Sequence, residues 1–193
     1  MFLPILGDLP FPRGKTASQG LLTPTGTYLG NLEGKAFFSE DTEHGTGTPI
    51  VVLCVRNTTG GDITVARTFA ELDNTTVLSV SGAVDVHPNV TAGAVCLPLD
   101  DAYIVGATIA DDDLFYVGLY GYFSVLTGAS VTNLAAGISI SSDNAGKIAN
   151  VSGGSAAGEF VVGRLPYQAT YVATTATAIF VCPGSLAMPP AAG

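Results

Sequence analysis

LFYVGLYGYFSVLT, residues 114–127, decides how the rest of the chain is read. It is the centre of a longer apolar run over residues 104–137. Tyr120-Gly121-Tyr122-Phe123 reads as a tight turn between two short strands, because a type II′ turn takes glycine at its first central position, where φ must be positive. In such a hairpin Tyr120 stands opposite Phe123, Gly118 opposite Val125 and Val117 opposite Leu126. One face then carries Phe115, Val117, Leu119 and Leu126, and the other Tyr116, Tyr120, Phe123 and Val125. A hairpin apolar on both faces has to be covered twice. One cover is its own domain and the other a second body, so Tyr116, Tyr120, Phe123 and Val125 form the expected subunit interface.

Working outward, the segment from Pro49 to Cys182 is a series of short β-type runs. Strands are expected near 50–56, 62–66, 75–80, 83–87, 93–98, 102–109, 114–120, 122–127, 137–141, 146–151, 158–163, 169–173 and 176–182. The connecting sequences NTTGGD, HPNVTAG, SSDNAG and SGGSAAG are turn chemistry. Many short strands with Gly-rich turns predict an all-β sandwich or barrel of antiparallel strands. Ala66–Leu72, ARTFAEL, is the one segment with helical character.

Residues 1–48 have a different texture, with prolines at 4, 10, 12 and 24 and glycines between them. Proline removes a backbone donor and pushes its predecessor to extended geometry, which argues for an extended arm. Phe2, Leu3, Ile5, Leu6, Leu9 and Phe11 are too apolar for a solvated tail. Their burial would stabilise docking by roughly 9–18 kcal/mol before ordering costs. The arm therefore lies along a neighbouring surface, or else caps its own core. Glu40, Asp41, Glu43 and His44, followed by GTGTP, read as a solvated linker. The expected organisation is an arm over 1–48, a β domain over 49–183 and a tail over 184–193.

Among the 193 residues only 12% are charged while 47% are hydrophobic. That is about half the charge content of an ordinary soluble domain, and it implies surface buried against partners. The net charge is −9, and beyond Arg67 only Lys147 and Arg164 are positive. Counterion release from a phosphate backbone needs a basic stripe, so neither nucleic acid nor an anionic membrane is an expected partner. No uncharged apolar run reaches the length of a transmembrane helix. The apolar N-terminus lacks a basic leading region and is interrupted by prolines, a poor match to a signal peptide.

Reactive constellations are sparse. Cys54, Cys96 and Cys182 sit in or beside apolar runs without metal-ligand spacing, and read as buried structural thiols. GGSAAG at 153–158 fails the nucleophile-elbow spacing. The only histidines are His44 and His87. Asp111-Asp112-Asp113 lacks calcium-loop spacing, and a continuous strand over 102–110 would hold it roughly 30 Å from Asp100 and Asp101. No catalytic residue, cofactor or metal is expected, and the chain is not read as an enzyme.

The order of features resembles the head decoration (cement) proteins of tailed bacteriophages. A V-x-N-x-[ST]-G strand is here VRNTTGGDI at 55–63. An I-x-x-D-D-x-F-Y-V entrance is TIADDDLFYV at 108–117, and a V-x-x-x-G-x-x-x-V segment is VGLYGYFSV at 117–125. An NAGKIA-like strand follows at 144–149, and VVGRLPYQAT at 161–170 corresponds to a V-G-R segment. The similarity spans residues 50–182. Tyr122 departs from it, standing where proline would follow the glycine. The resemblance implies a virion protein, made in the host cytoplasm, that binds the outside of an expanded icosahedral shell. It would act as a homo-oligomer, a trimer by preference, clamping neighbouring subunits of the major capsid protein. The resemblance supplies no catalytic residues. The alternatives are a head-fibre, tail or coat module, although a coat subunit would normally carry a long helix, and an extracellular adhesin or glycan-binding module, against which the absence of tryptophan argues.

Overall fold

Residues 114–126 form one uninterrupted strand, and every other part of the sheet is arranged around it. The structure, a computed structural model, describes residues 36–41, 43–63, 67–71, 79–80, 96–100, 109–111, 113–128, 131, 135–142, 146–150, 162–166 and 175–181. Ten strands lie within them: β1 (Ala36–Glu40), β2 (Pro49–Asn57), β3 (Thr68–Glu71), β4 (Ser79–Val80), β5 (Cys96–Leu99), β6 (Leu114–Leu126), β7 (Ser139–Ser142), β8 (Ile148–Asn150), β9 (Gly163–Arg164) and β10 (Ala176–Val181). The described residues contain no helix, and the protein is all-β.

Eight strands make one sheet in the order β1-β2-β6-β10-β9-β7-β8, with β4 paired to β2 off that path. All pairings are antiparallel except β2 with β4. A bridge between Thr127 and Ile148 brings β8 back to the end of β6, so this half of the sheet curls onto itself. A second, two-stranded sheet pairs β3 with β5, and β5 packs on β6.

The expected hairpin is replaced by this continuous β6. Its first half, Leu114–Tyr120, pairs with β2, and its second half, Gly121–Leu126, pairs with β10. The glycine does take the positive φ that the turn reading required, at 107°. Here it serves an irregularity instead of a reversal. Val52 stands opposite Gly118 and Val51 opposite Tyr120, which leaves Leu119 as an extra residue in β6. One inserted residue switches which side chains face inward. Accordingly Leu114 and Tyr116 enter one core cluster from even positions, whereas Phe123 and Val125 enter the same cluster from odd ones. Gly118 makes this packing possible, since the Phe123 ring lies within 2.6 Å of where a Cβ would be.

Two cores result. The larger joins Phe37, Ile50, Val52, Cys54, Leu114, Tyr116, Phe123 and Val125 to Ile140, Ile148, Val162, Ile179 and Val181. The smaller joins Leu53, Val55, Ile63, Ile109, Phe115 and Val117 to Ala70, Leu97 and Leu99 of the β3–β5 ribbon. The segment Leu114–Val117 is therefore covered on both faces, and both covers come from this chain. Each fully buried Val, Ile, Leu or Phe contributes roughly 1.5–3 kcal/mol relative to exposure.

Three local expectations are corrected. Thr68–Glu71, inside the segment read as helical, is strand β3, because pairing with Cys96–Leu99 outweighs the local helical preference of so short a piece. Ala36–Glu40, read as part of the arm, is the strand paired along the edge of β2. Asp41, placed in a solvated linker, is buried. Cys54 and Cys96 are buried and form no disulfide. The remaining segments of the expected organisation, 1–35 with Phe2, Leu3, Ile5, Leu6, Leu9 and Phe11, and 182–193 with Cys182, lie outside the described residues.

Candidate functional site

Of the four residues expected at a subunit interface, Tyr116, Phe123 and Val125 are buried in the chain's own core, at 1% exposure or less. Tyr116 packs edge-on against Phe37, with ring centroids 6.1 Å apart. Only Tyr120 reaches the opposite face, where it is half-buried. The parity switch at Leu119 is the reason, since it sends Tyr120, Tyr122, Ser124 and Leu126 outward together.

That outward face is aromatic. Phe180 of β10 lies between Tyr120 and Tyr122, with centroids 5.4 and 5.1 Å away in edge-to-face geometry. All three side chains are half-buried. Such pairs are preferred arrangements of π-systems and hold the patch in one shape. Ala178 and Ala176 stand opposite Ser124 and Leu126 in the β6–β10 ladder.

Over this face folds the loop between β1 and β2. Asp41, directly after β1, donates its backbone N–H to the Thr48 carbonyl at 2.9 Å, which closes the loop. Its carboxylate organises the interior. Oδ1 accepts the His44 backbone N–H and faces His44 Nδ1, both at 3.0 Å, and Oδ2 accepts the Thr46 hydroxyl at 2.6 Å. The other ring nitrogen, Nε2, lies 2.9 Å from Ser124 Oγ. A carboxylate can only accept, so Nδ1 carries the proton that faces Asp41, and Nε2, whenever it carries none, can accept from Ser124. Asp41, His44 and Ser124 are thus linked carboxylate to imidazole to hydroxyl. The His44 ring also lies 6.2 Å from that of Tyr122. The Ser124 backbone N–H donates to the buried Asp100 carboxylate at 2.6 Å.

Burial by itself would raise the Asp41 pKa. The hydrogen bonds from Thr46 and from the His44 backbone and ring, with the attraction of the His44 charge, outweigh it and hold the group below its ordinary value. A carboxylate depressed in the folded state stabilises the fold fully above its unfolded pKa, about 3.9. That contribution is lost as pH falls through the lower, folded value. Thermal unfolding followed between pH 7 and pH 2 is expected to show a fall in midpoint across this acid window. The fall is shallower in Asp41→Asn.

A second polar junction joins the two sequence motifs at 55–63 and 108–117. Asn57 is fully buried, and its Nδ2 lies 2.8 Å from the Gly61 carbonyl, 3.1 Å from that of Ile109 and 3.0 Å from that of Ala110. Its Oδ1 accepts from the Thr59 backbone and hydroxyl. Asp111 Oδ1 accepts the Gly60 N–H at 3.0 Å, and Ile63 and Ile109 exchange backbone hydrogen bonds. Asp62 and Asp111 are used as hydrogen-bond acceptors here. No group of three or more His, Cys, Asp or Glu among the described residues is placed to hold a metal ion.

The sequence reading missed the Asp41–His44–Ser124 arrangement. The local signal was an Asp-x-x-His pair in a linker rich in small and hydroxyl residues, and Ser124 lies 80 residues further on. A search of protein-family models finds no match to this chain, and neither does a search of curated proteins. Among solved structures, one it is similar to is the N base of the head fibre protein gp8.5 of bacteriophage phi29. Identity is 15%, over 69% of this chain and 95% of that one, with a TM-score of 0.40. Similarity at that level assigns no role.

Proposed function

We propose that this chain is a structural protein of a bacteriophage virion. It decorates the outside of an icosahedral head as a homo-oligomer, a trimer by preference, and clamps neighbouring subunits of the major capsid protein. The observation that carries this reading is the junction at Asn57. Two of the motifs that carry the sequence resemblance, 55–63 and 108–117, meet as one hydrogen-bonded unit, with Asn57 reaching the carbonyls of Ile109 and Ala110. Motifs whose order alone suggested a relationship are thereby also joined in space. The aromatic face of Tyr120, Tyr122 and Phe180 and the low charge content suit a protein that works against a partner surface.

The test is co-sedimentation with undecorated, expanded heads of the source particle. Full-length protein is expected to pellet saturably, at a fixed ratio to coat subunits. Protein lacking residues 1–35, which leaves β1 in place, is expected to bind more weakly, since the apolar arm adds contacts at high effective concentration. Absence of pelleting with any expanded head would remove the decoration role.

A further inference from the structure

Ser124, His44 and Asp41 have the connectivity of a nucleophile, its base and the group that orients the base. The geometry points to Ser124 Oγ as a reactive nucleophile of an acyl-accepting site on the outer sheet face, with His44 Nε2 as general base and Asp41 as the residue that positions His44. This goes beyond the decoration role, which uses none of the three. Four observations converge on it. The Oγ to Nε2 distance is 2.9 Å, within the range for proton transfer. Asp41 holds the ring through Nδ1 while also accepting the His44 backbone N–H, so one carboxylate oxygen fixes both the ring and the loop that carries it. The Asp41 side chain is 0% exposed, whereas the His44 side chain is 15% exposed, so the orienting group is dry and the base is reachable. Ser124 is itself only half-buried and stands opposite the small Ala178 in the ladder.

The surroundings define the acyl donor. Tyr122 and Leu126 stand two positions either side of Ser124 in β6, Ala178 stands opposite it and Phe180 packs on Tyr122, which makes the neighbourhood apolar, while the carboxylates of Asp41 and Asp100 disfavour an anion. The site fits an uncharged ester with an apolar acyl group. In the step proposed, the Ser124 Oγ–H proton passes to His44 Nε2 as Oγ bonds to the acyl carbon. The bond from that carbon to the leaving oxygen then breaks, and the leaving alcohol takes the proton from His44. Water delivered through the same base would release the acid and restore Ser124. The Ser124 backbone N–H, a natural donor to the developing oxyanion, is already committed to Asp100 Oδ2. Lack of one such donor slows acyl transfer about 10²–10³-fold. Covalent labelling is therefore a more sensitive readout than turnover.

The experiment uses full-length protein and an uncharged alkyl fluorophosphonate, whose P–F bond breaks as the Oγ–P bond forms, with fluoride leaving and the proton going to His44. Intact-mass and peptide analysis are expected to find one adduct per chain, on Ser124. The adduct should be absent from Ser124→Ala and from protein unfolded in urea. His44→Gln is expected to slow labelling about 100-fold or more, the scale of general-base assistance. Asp41 acts through the ring, so its readout is the His44 tautomer in ¹⁵N NMR. The wild-type ring is expected to be protonated at Nδ1, and Asp41→Asn, which can present a donor to Nδ1, is expected to shift the proton to Nε2. With His87 the only other histidine, the signals are readily assigned. No adduct at saturating probe, labelling equally fast in unfolded protein, or a folded His44→Gln variant that labels at the wild-type rate would each overturn the proposal. So would a wild-type His44 protonated at Nε2.

Discussion

Gly121→Ala is expected to lower stability by about 2–6 kcal/mol, seen as a large drop in the urea midpoint with little change in slope. Two independent costs combine. The φ of 107° lies where side chains are rarely tolerated. An added Cβ would also stand 2.7 Å from Ile50 Cγ2 and 3.2 Å from both Ile50 Cα and the Pro49 carbonyl oxygen. Two of those three contacts are backbone of the neighbouring strand, so relief requires β2 to move. Gly137→Ala separates the terms. Its φ is 79° with nothing within 4 Å of the added Cβ, and it should therefore show the conformational cost without the crowding. If the two variants were equally stable, crowding at the β2–β6 irregularity would have no energetic weight.

Asn57→Asp is the second substitution with a large expected effect, at least about 3 kcal/mol at neutral pH. The change is almost isosteric, so packing hardly alters while hydrogen-bond polarity reverses. A group that donates toward the carbonyls of Gly61, Ile109 and Ala110 becomes a carboxylate facing three acceptors. Burial and that repulsion raise the folded pKa of the new carboxyl above its unfolded value. The added group is least harmful when protonated, below its unfolded pKa, and its penalty grows as pH rises toward the folded one. Thermal midpoints of wild type and variant should thus converge in acid and separate toward neutrality. A constant difference at all pH values would mean that lost shape, rather than reversed polarity, destabilises the variant.

The fold class was legible because burial patterns repeat along the strands. The run from Ile50 to Arg56 and that from Ala176 to Val181 both appear as strands where the sequence places them. Gly121 shows where local reading stops. Its positive φ was correctly anticipated, but that value serves a turn and a strand irregularity alike, and only the partners of β6 distinguish them. The partners, β2 and β10, lie 50 residues or more away on either side, at separations local pattern does not encode. Similarly, Thr68–Glu71 has the composition of a short helix until Cys96–Leu99 pairs with it. The relay was hidden for a different reason. Asp41 sits between Glu40 and Glu43 in a segment that looks hydrated, and it is buried only because its loop folds over β6.

One consequence concerns how the molecule carries load. β2 grips only the first half of β6 and β10 only the second, so no hydrogen-bond ladder in β6 spans both neighbours. Tension applied between β2 and β10 along the strand direction must pass through the covalent backbone of β6. Giving way then requires a whole ladder to shear at once, instead of opening one rung at a time. The protein should be stiffest along β6 and weakest where β1 can be peeled from β2. Under the decoration role proposed above, a head under internal pressure would be held best by copies whose β6 axes follow the direction in which the shell stretches.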